Sequence, residues 1–168
     1  MIPLEKADAA ANQILGVLKP YCELVSIAGS IRRRRPWVND IDIVLLPKRG
    51  SDLPLRNRVK RSTTVLREGD QLLSVRLNNG VQLDLFLADQ KTVDLFAPTP
   101  TNFGSLLLCR TGSKEHNIFL VEHAKKIGLV WNPHHGVFRD GELIASETEQ
   151  AVFQALQLPF IEPEKRER

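Results

Sequence analysis

Apolar residues first recur at helical spacing: over residues 4 to 19, Ala7, Ala11, Ile14, Leu15 and Leu18 share one face, which predicts an amphipathic helix ended by Pro20. The period then shortens. "ELVSIAGS", from Glu23, is rich in strand-formers and breaks at Gly29-Ser30, and "IDIVLLP", from Ile41, reads as a second strand stopped by Pro47. Two alternating runs, "QLLSVRLN" and "VQLDLFLA", flank Asn79-Gly80, the pair that most favours a tight hairpin, so Asp84 is expected in mid-strand. After residue 110 helical spacing returns, with Ile118, Val121, Ala124 and Ile127 on one face and Gly128 as a C-terminal cap. "GLVWNPHHGVFRDGELI" predicts short strands separated by turns, with His134-His135 in one of them. "SETEQAVFQALQL" predicts a last helix with Ser146 and Glu149 in capping-box positions. The class is α+β, the chain divides near residue 110, and there is no repeat and no low-complexity linker.

Composition narrows the classes. The 168 residues are 42% hydrophobic, enough for one packed domain or two small ones. No apolar run approaches the roughly 18 to 20 residues that cross a bilayer, and "MIPLEKADAA" has neither region of a secretion signal, so an intracellular, cytoplasmic chain with no membrane partner is expected. Cys22 and Cys109 stand far apart without metal-ligand spacing, which argues against both a disulfide framework and a zinc site. The net charge is +3, a balance that permits a polyanionic partner without requiring one. Its distribution says more: between residues 48 and 67, Lys48, Arg49, Arg56, Arg58, Lys60, Arg61 and Arg67 face only Asp52.

The candidate chemistry lies in "AGSIRRRRPWVNDIDIVL". On a strand, Asp40 and Asp42 project to one side while Ile41 and Ile43 turn to the core. Two carboxylates on one face repel, and a cation between them relieves the repulsion; oxygen ligands with room for water and phosphate suit Mg²⁺. Asp84 can supply a third carboxylate, and three such groups can hold two divalent ions about 3.5 to 4 Å apart, the arrangement used in phosphoryl and nucleotidyl transfer. Gly29-Ser30 lets backbone N–H groups and a hydroxyl approach a phosphate, and Arg32, Arg33, Arg34 and Arg35 offer donors to triphosphate oxygens. Cations and carboxylates stand together because such a substrate brings phosphates and metal together.

"GSIRRRRPWVNDIDIVL" resembles the signature of the family X DNA polymerases, a Gly-Ser followed by arginine and a short hairpin ending in Asp-x-Asp, with the same spacing from Gly29 to Asp40. "IPLEKADAAANQIL" is similar to the helix that opens that family's palm, "NGVQLDLFLA" to its third-aspartate strand, "TGSKEHN" to the turn entering its thumb, and "GELIASETEQAVFQALQLPFIEPEKRE" to the end of the thumb. The resemblance spans nearly the whole chain and leans to the bacterial branch. It implies a nucleotidyltransferase palm, a mixed or antiparallel sheet with flanking helices, over residues 1 to 108, and a small α/β thumb over 109 to 168.

The resemblance also implies roles. Asp40 and Asp42 match the carboxylates that bind both metals, and Asp84 the one that holds the catalytic metal and helps deprotonate the primer 3′-hydroxyl. Two Mg²⁺ ions are the expected cofactors, with Mn²⁺ able to substitute. Ser30, with Gly29, and Arg33 match triphosphate contacts. Gly112, with Ser113, matches the turn near the nucleotide sugar, and Asn117 the asparagine that reaches the incoming base. Where the family usually has an aromatic pair crowding the ribose 2′ position, this chain has Cys109-Arg110, so weak discrimination against ribonucleotides is expected. Arg32, Arg34, Arg35, Trp37, Arg56, Arg58, Lys60 and Arg61 are the candidates for nucleic-acid contact. The expected protein is a monomeric, minimal palm and thumb without the family's N-terminal helical, fingers or fused phosphoesterase domains. It takes dNTP or NTP and a DNA primer or primer–template, with RNA as a further acceptor and an accessory protein supplying grip. Template-independent tailing is the alternative activity, and an idle nucleic-acid-binding module the alternative class.

Overall fold

The computed structural model of the chain describes residues 1–89 and 100–167. A two-residue strand, β1 (Ile2–Pro3), leads into the expected helix, α1 (Leu4–Leu18), whose buried face is Ala7, Ala11 and Leu18. Pro20 cannot continue the helical hydrogen bonding, and Lys19–Tyr21 tighten into a 3-10 turn. Strand β2 (Cys22–Ile27) ends before Gly29, where the chain makes a single helical turn, α2 (Gly29–Arg32). β3 (Trp37–Val38) pairs with β1, and β4 (Asp40–Pro47) begins two residues later.

The stretch that the sequence marks only as basic folds into α3 (Asp52–Lys60) and β5 (Thr64–Gly69). α3 buries only Leu55, Arg56 and Val59, so its apolar period is too thin to announce a helix. β6 (Leu72–Arg76) and β7 (Gln82–Leu87) meet at Asn79-Gly80, as expected; Gly80 takes a φ of 83° and its N–H donates to the Leu77 carbonyl at 2.9 Å. The five strands lie in the order β2-β4-β7-β6-β5, with β4 and β7 parallel and every other neighbour antiparallel. One face packs Ile41, Ile43, Leu45, Leu83, Leu85, Leu73 and Val75 with Ala7, Ala11 and Leu18 of α1 and Leu55 and Val59 of α3. Both helices therefore cover that face.

Packing divides the chain into Met1–Ala88 and Asp89–Arg168. Among the described residues of the second unit the first helix is α4 (Phe103–Thr111), so residue 109, where the thumb was expected to begin, lies within a helix. Seven of the nine residues of α4 are buried, which leaves no polar face for a helical period to show. α5 (Lys114–Lys126) follows, then β8 (Val130–Asn132), β9 (Gly136–Arg139) and β10 (Glu142–Ala145) as a three-stranded antiparallel sheet, α6 (Glu149–Ala155), and a 3-10 turn at Pro163–Lys165. α6 is capped by Thr148, whose hydroxyl accepts from the Ala151 N–H at 3.1 Å, and not by Ser146. Ser146 is buried and donates instead to the Thr101 carbonyl at 2.9 Å. Among the described residues no helix is long and apolar enough to cross a membrane.

Candidate active site

Strand alternation that buries Ile41, Ile43, Leu83 and Leu85 sends Asp40, Asp42 and Asp84 to the opposite face of the first sheet. The parallel β4–β7 register then sets Asp42 beside Asp84 and Asp40 beside Gln82. One carboxylate oxygen from each aspartate lies within 4.8 Å of the others, and all three residues are half-buried. Burial, then the negative charge of Asp84, raises the Asp40 pKa above its ordinary value, against a hydrogen bond from its own backbone. A clustered, partly desolvated, all-oxygen donor set of net negative charge fits a hard divalent cation such as Mg²⁺ or Mn²⁺.

Two residues not singled out in the sequence hold the third carboxylate. Ser74 lies opposite Asp84 in the β6–β7 pairing, and its hydroxyl donates to Oδ1 at 2.5 Å. The Gln82 amide donates to both Asp84 oxygens, at 3.0 and 3.1 Å, and to Ser74 Oγ at 3.3 Å. Gln82 stands two residues from Asp84 and so shares its face, a relation readable from the strand period; Ser74 needed the strand register.

Gly29 is shaped by the same cluster. Its φ is 58°, and a Cβ built on it would meet Asp42 Oδ2 at 1.9 Å. The neighbouring Ala28 N–H donates to the Asp42 carbonyl at 2.8 Å, so backbone and acid are held in contact. Ser30, Arg32 and Arg33 are half-buried beside them, whereas Arg34 and Arg35 are exposed and Trp37 is 59% exposed on β3.

The basic residues on and just beyond α3 do not join this face, whereas Arg67, opposite Ser74 in the β5–β6 pairing, stands on it. Arg56 is buried at 6% exposure, with Nε on Asp52 at 2.7 Å and its two terminal nitrogens donating to the Gly69 and Asp70 carbonyls at 2.9 and 2.6 Å. That guanidinium closes the corner between α3 and β5 rather than facing a polyanion. Lys60 pairs with Glu68 at 2.9 Å, and Arg58 and Arg61 are exposed on and just beyond a helix that covers the face opposite the carboxylates.

In the second unit Cys109 and Arg110 are half-buried near the end of α4, while Gly112 and Ser113 are buried where the chain turns into α5. Burial raises the Cys109 thiol above its ordinary range, opposed by Arg110. Asn117 ties α5 to α4, its amide donating to the Cys109 carbonyl at 2.8 Å; its buried Oδ1 has no hydrogen-bond partner among the described residues. His134 and His135 are exposed in the β8–β9 turn, where Asn132 accepts from the backbone N–H of each at 3.0 Å.

A family described as the DNA polymerase beta thumb matches residues 106–167. The DNA polymerase/3′-5′ exonuclease PolX of Bacillus subtilis (strain 168) is 29% identical over 174 residues that cover 98% of this chain, and the chain spans 28% of that relative's length. Two crystal structures of Leishmania infantum polymerase beta share the fold. The ternary P/T complex has a TM-score of 0.73 at 20% identity, covering 99% of this chain and 77% of that one. The ternary gap complex has a TM-score of 0.73 at 18% identity, covering 99% and 71%. This chain is therefore similar in its second unit to the polymerase beta thumb, in sequence to a bacterial PolX, and in fold to polymerase beta.

Proposed function

We propose that the chain is a metal-dependent nucleotidyltransferase that adds (d)NMP from a (d)NTP to a nucleic-acid 3′-hydroxyl and releases pyrophosphate. The observation that carries this reading is the cluster of Asp40, Asp42 and Asp84 on the polar face of the sheet. Asp40 and Asp42 would hold both divalent ions, and Asp84 would share the one nearer the primer. When bound, such ions neutralise triphosphate charge and lower the pKa of the attacking hydroxyl. Asp84 would accept the proton of that hydroxyl, a role supported by the Ser74 and Gln82 donors that keep its carboxylate in one orientation. The hydroxyl oxygen then bonds to the α-phosphorus as the bond to the leaving pyrophosphate breaks.

Gly29, Ser30 and Arg33 are assigned to the triphosphate, and Gly112, Ser113 and Asn117 to sugar and base. Exposure favours Arg34, Arg35 and Trp37 for the acceptor strand, with bases stacking on the indole. Cys109-Arg110 leaves the ribose 2′ position without rings against it. GTP and dGTP should therefore be incorporated with comparable constants, and a dGTP preference above about a thousandfold, roughly 4 kcal/mol, would sink that part of the reading.

The test of the whole is primer extension with Mg²⁺ or Mn²⁺, offering single dNTPs and NTPs to a labelled DNA or RNA primer, alone or annealed to a template. A protein carrying Asp40→Ala and Asp42→Ala is the control. Extension only with the base complementary to the template supports a templated polymerase, extension without template supports tailing, and extension surviving in the control refutes the assigned site.

A further inference from the structure

The second unit contains a buried ion pair with no part in the chemistry above. The Arg166 side chain is wholly buried, and its Nη1 meets Glu149 Oε1, on a side chain 4% exposed, at 2.6 Å. Nε donates to the Ile161 carbonyl at 2.8 Å, and the rings of Phe153 and Phe160 each stand 5.4 Å from the guanidinium carbon. Desolvating two ions cancels much of their attraction, so such a pair contributes little net stability. Its effect is to fix one backbone position.

That position is the Arg166 carbonyl. It accepts from the Ser113 hydroxyl at 2.8 Å and from the Ser113 N–H at 3.3 Å, across 53 residues of sequence. The same hydroxyl accepts from the His116 N–H at 3.2 Å and so caps α5. Asn117 follows in the first turn of that helix, and Gly112, at φ 69°, precedes the cap. Every link from the Glu149 carboxylate to the start of α5 is a direct contact.

We propose that Arg166 is a positioning residue for the incoming nucleotide. Its side chain is the clamp and its carbonyl the pin that hold the Gly112–Ser113 turn and the first turn of α5 in one geometry before nucleotide arrives. The inference rests on the reading above in which this turn meets the nucleotide. A turn ordered in advance avoids the entropy of ordering on binding, so releasing the pin weakens nucleotide binding more than it slows the chemical step.

The test compares Arg166→Met, Arg166→Lys and the double variant Glu149→Leu with Arg166→Met, which removes both buried charges together and avoids stranding one. Amide hydrogen exchange and thermal melting are measured on each protein, with KM and kcat for single-nucleotide addition to a primer–template. In the double variant the Ser113 and His116 amides should exchange about tenfold faster while β8 and β9 stay protected. The nucleotide KM should rise about tenfold with kcat little changed, and Arg166→Lys should recover part of both effects. Unchanged exchange at these two amides, or a lowered melting temperature with KM unchanged, would overturn the proposal. In a protein that adds no nucleotide, the assignment falls with the functional reading, and the exchange result separates the two failures: faster exchange leaves the pin standing, and unchanged exchange removes it.

Discussion

At Gly29 the backbone runs so close to Asp42 that a methyl group has no place to go. A Cβ there would lie 1.9 Å from Oδ2 and 2.8 Å from the carboxyl carbon, and the φ of 58° adds strain for any residue with a side chain. Gly29→Ala must therefore push the carboxylate away from Asp40 and Asp84. A displacement of about 1 Å at a reacting centre costs on the order of a hundredfold in rate. Single-nucleotide addition by Gly29→Ala should fall by about that factor, while circular dichroism stays that of the native fold; undiminished activity would show that Asp42 is free to move.

Among the elements, α4 and α6 approach more closely than side chains ordinarily permit. A Cβ on Gly104 would meet the backbone of Thr148 at 2.2 to 2.3 Å, and Thr148 is the residue that caps α6. Alanine normally favours a helix interior over glycine by about 1 kcal/mol. Here overpacking should outweigh that gain, with a net destabilisation of about 1 to 3 kcal/mol for Gly104→Ala. Thermal unfolding decides it: a lowered midpoint confirms the close approach, and a raised one refutes it. The α3–β5 corner makes the same point for charge, since Arg56 is spent on Asp52 and two carbonyls and contributes structure where the sequence offered a cation.

For the whole molecule, two solution properties follow. Three carboxylates held within 4.8 Å raise the free energy of the metal-free fold, and a divalent ion bound only by that fold stabilises it by mass action. At a Mn²⁺ concentration about a hundred times its dissociation constant the gain is about 2.7 kcal/mol, a rise of several degrees in melting temperature. Asp42→Ala should abolish the rise, and a rise that persists would place the ion elsewhere. Binding of a single-stranded primer should weaken with salt at a log–log slope of about −0.7 for each phosphate neutralised. Replacing Arg34 and Arg35 by alanine should flatten that slope by about 1.4, whereas replacing Arg58 and Arg61 should leave it unchanged, because α3 covers the other face of the sheet.

The period of apolar residues by itself determined α1, the β6–β7 hairpin at Asn79-Gly80 and the placement of Asp40 and Asp42 on the face opposite Ile41 and Ile43. Those are local facts: alternation along a strand says which side is buried, and Asn-Gly says where the chain reverses. The pattern was silent on α4, whose residues are nearly all buried, and nearly so on α3, whose apolar face is two residues. Nor could it say what would stand opposite a given residue. That β7 pairs parallel with β4, setting Asp84 beside Asp42 and Ser74 on the far side of Asp84, was decided by the tertiary structure. So was the seat of the Arg166 carbonyl beneath Ser113. Local periodicity encodes which face each element buries, but strand register and long-range hydrogen bonds depend on the packing of segments distant in sequence, and only the folded chain brings those together.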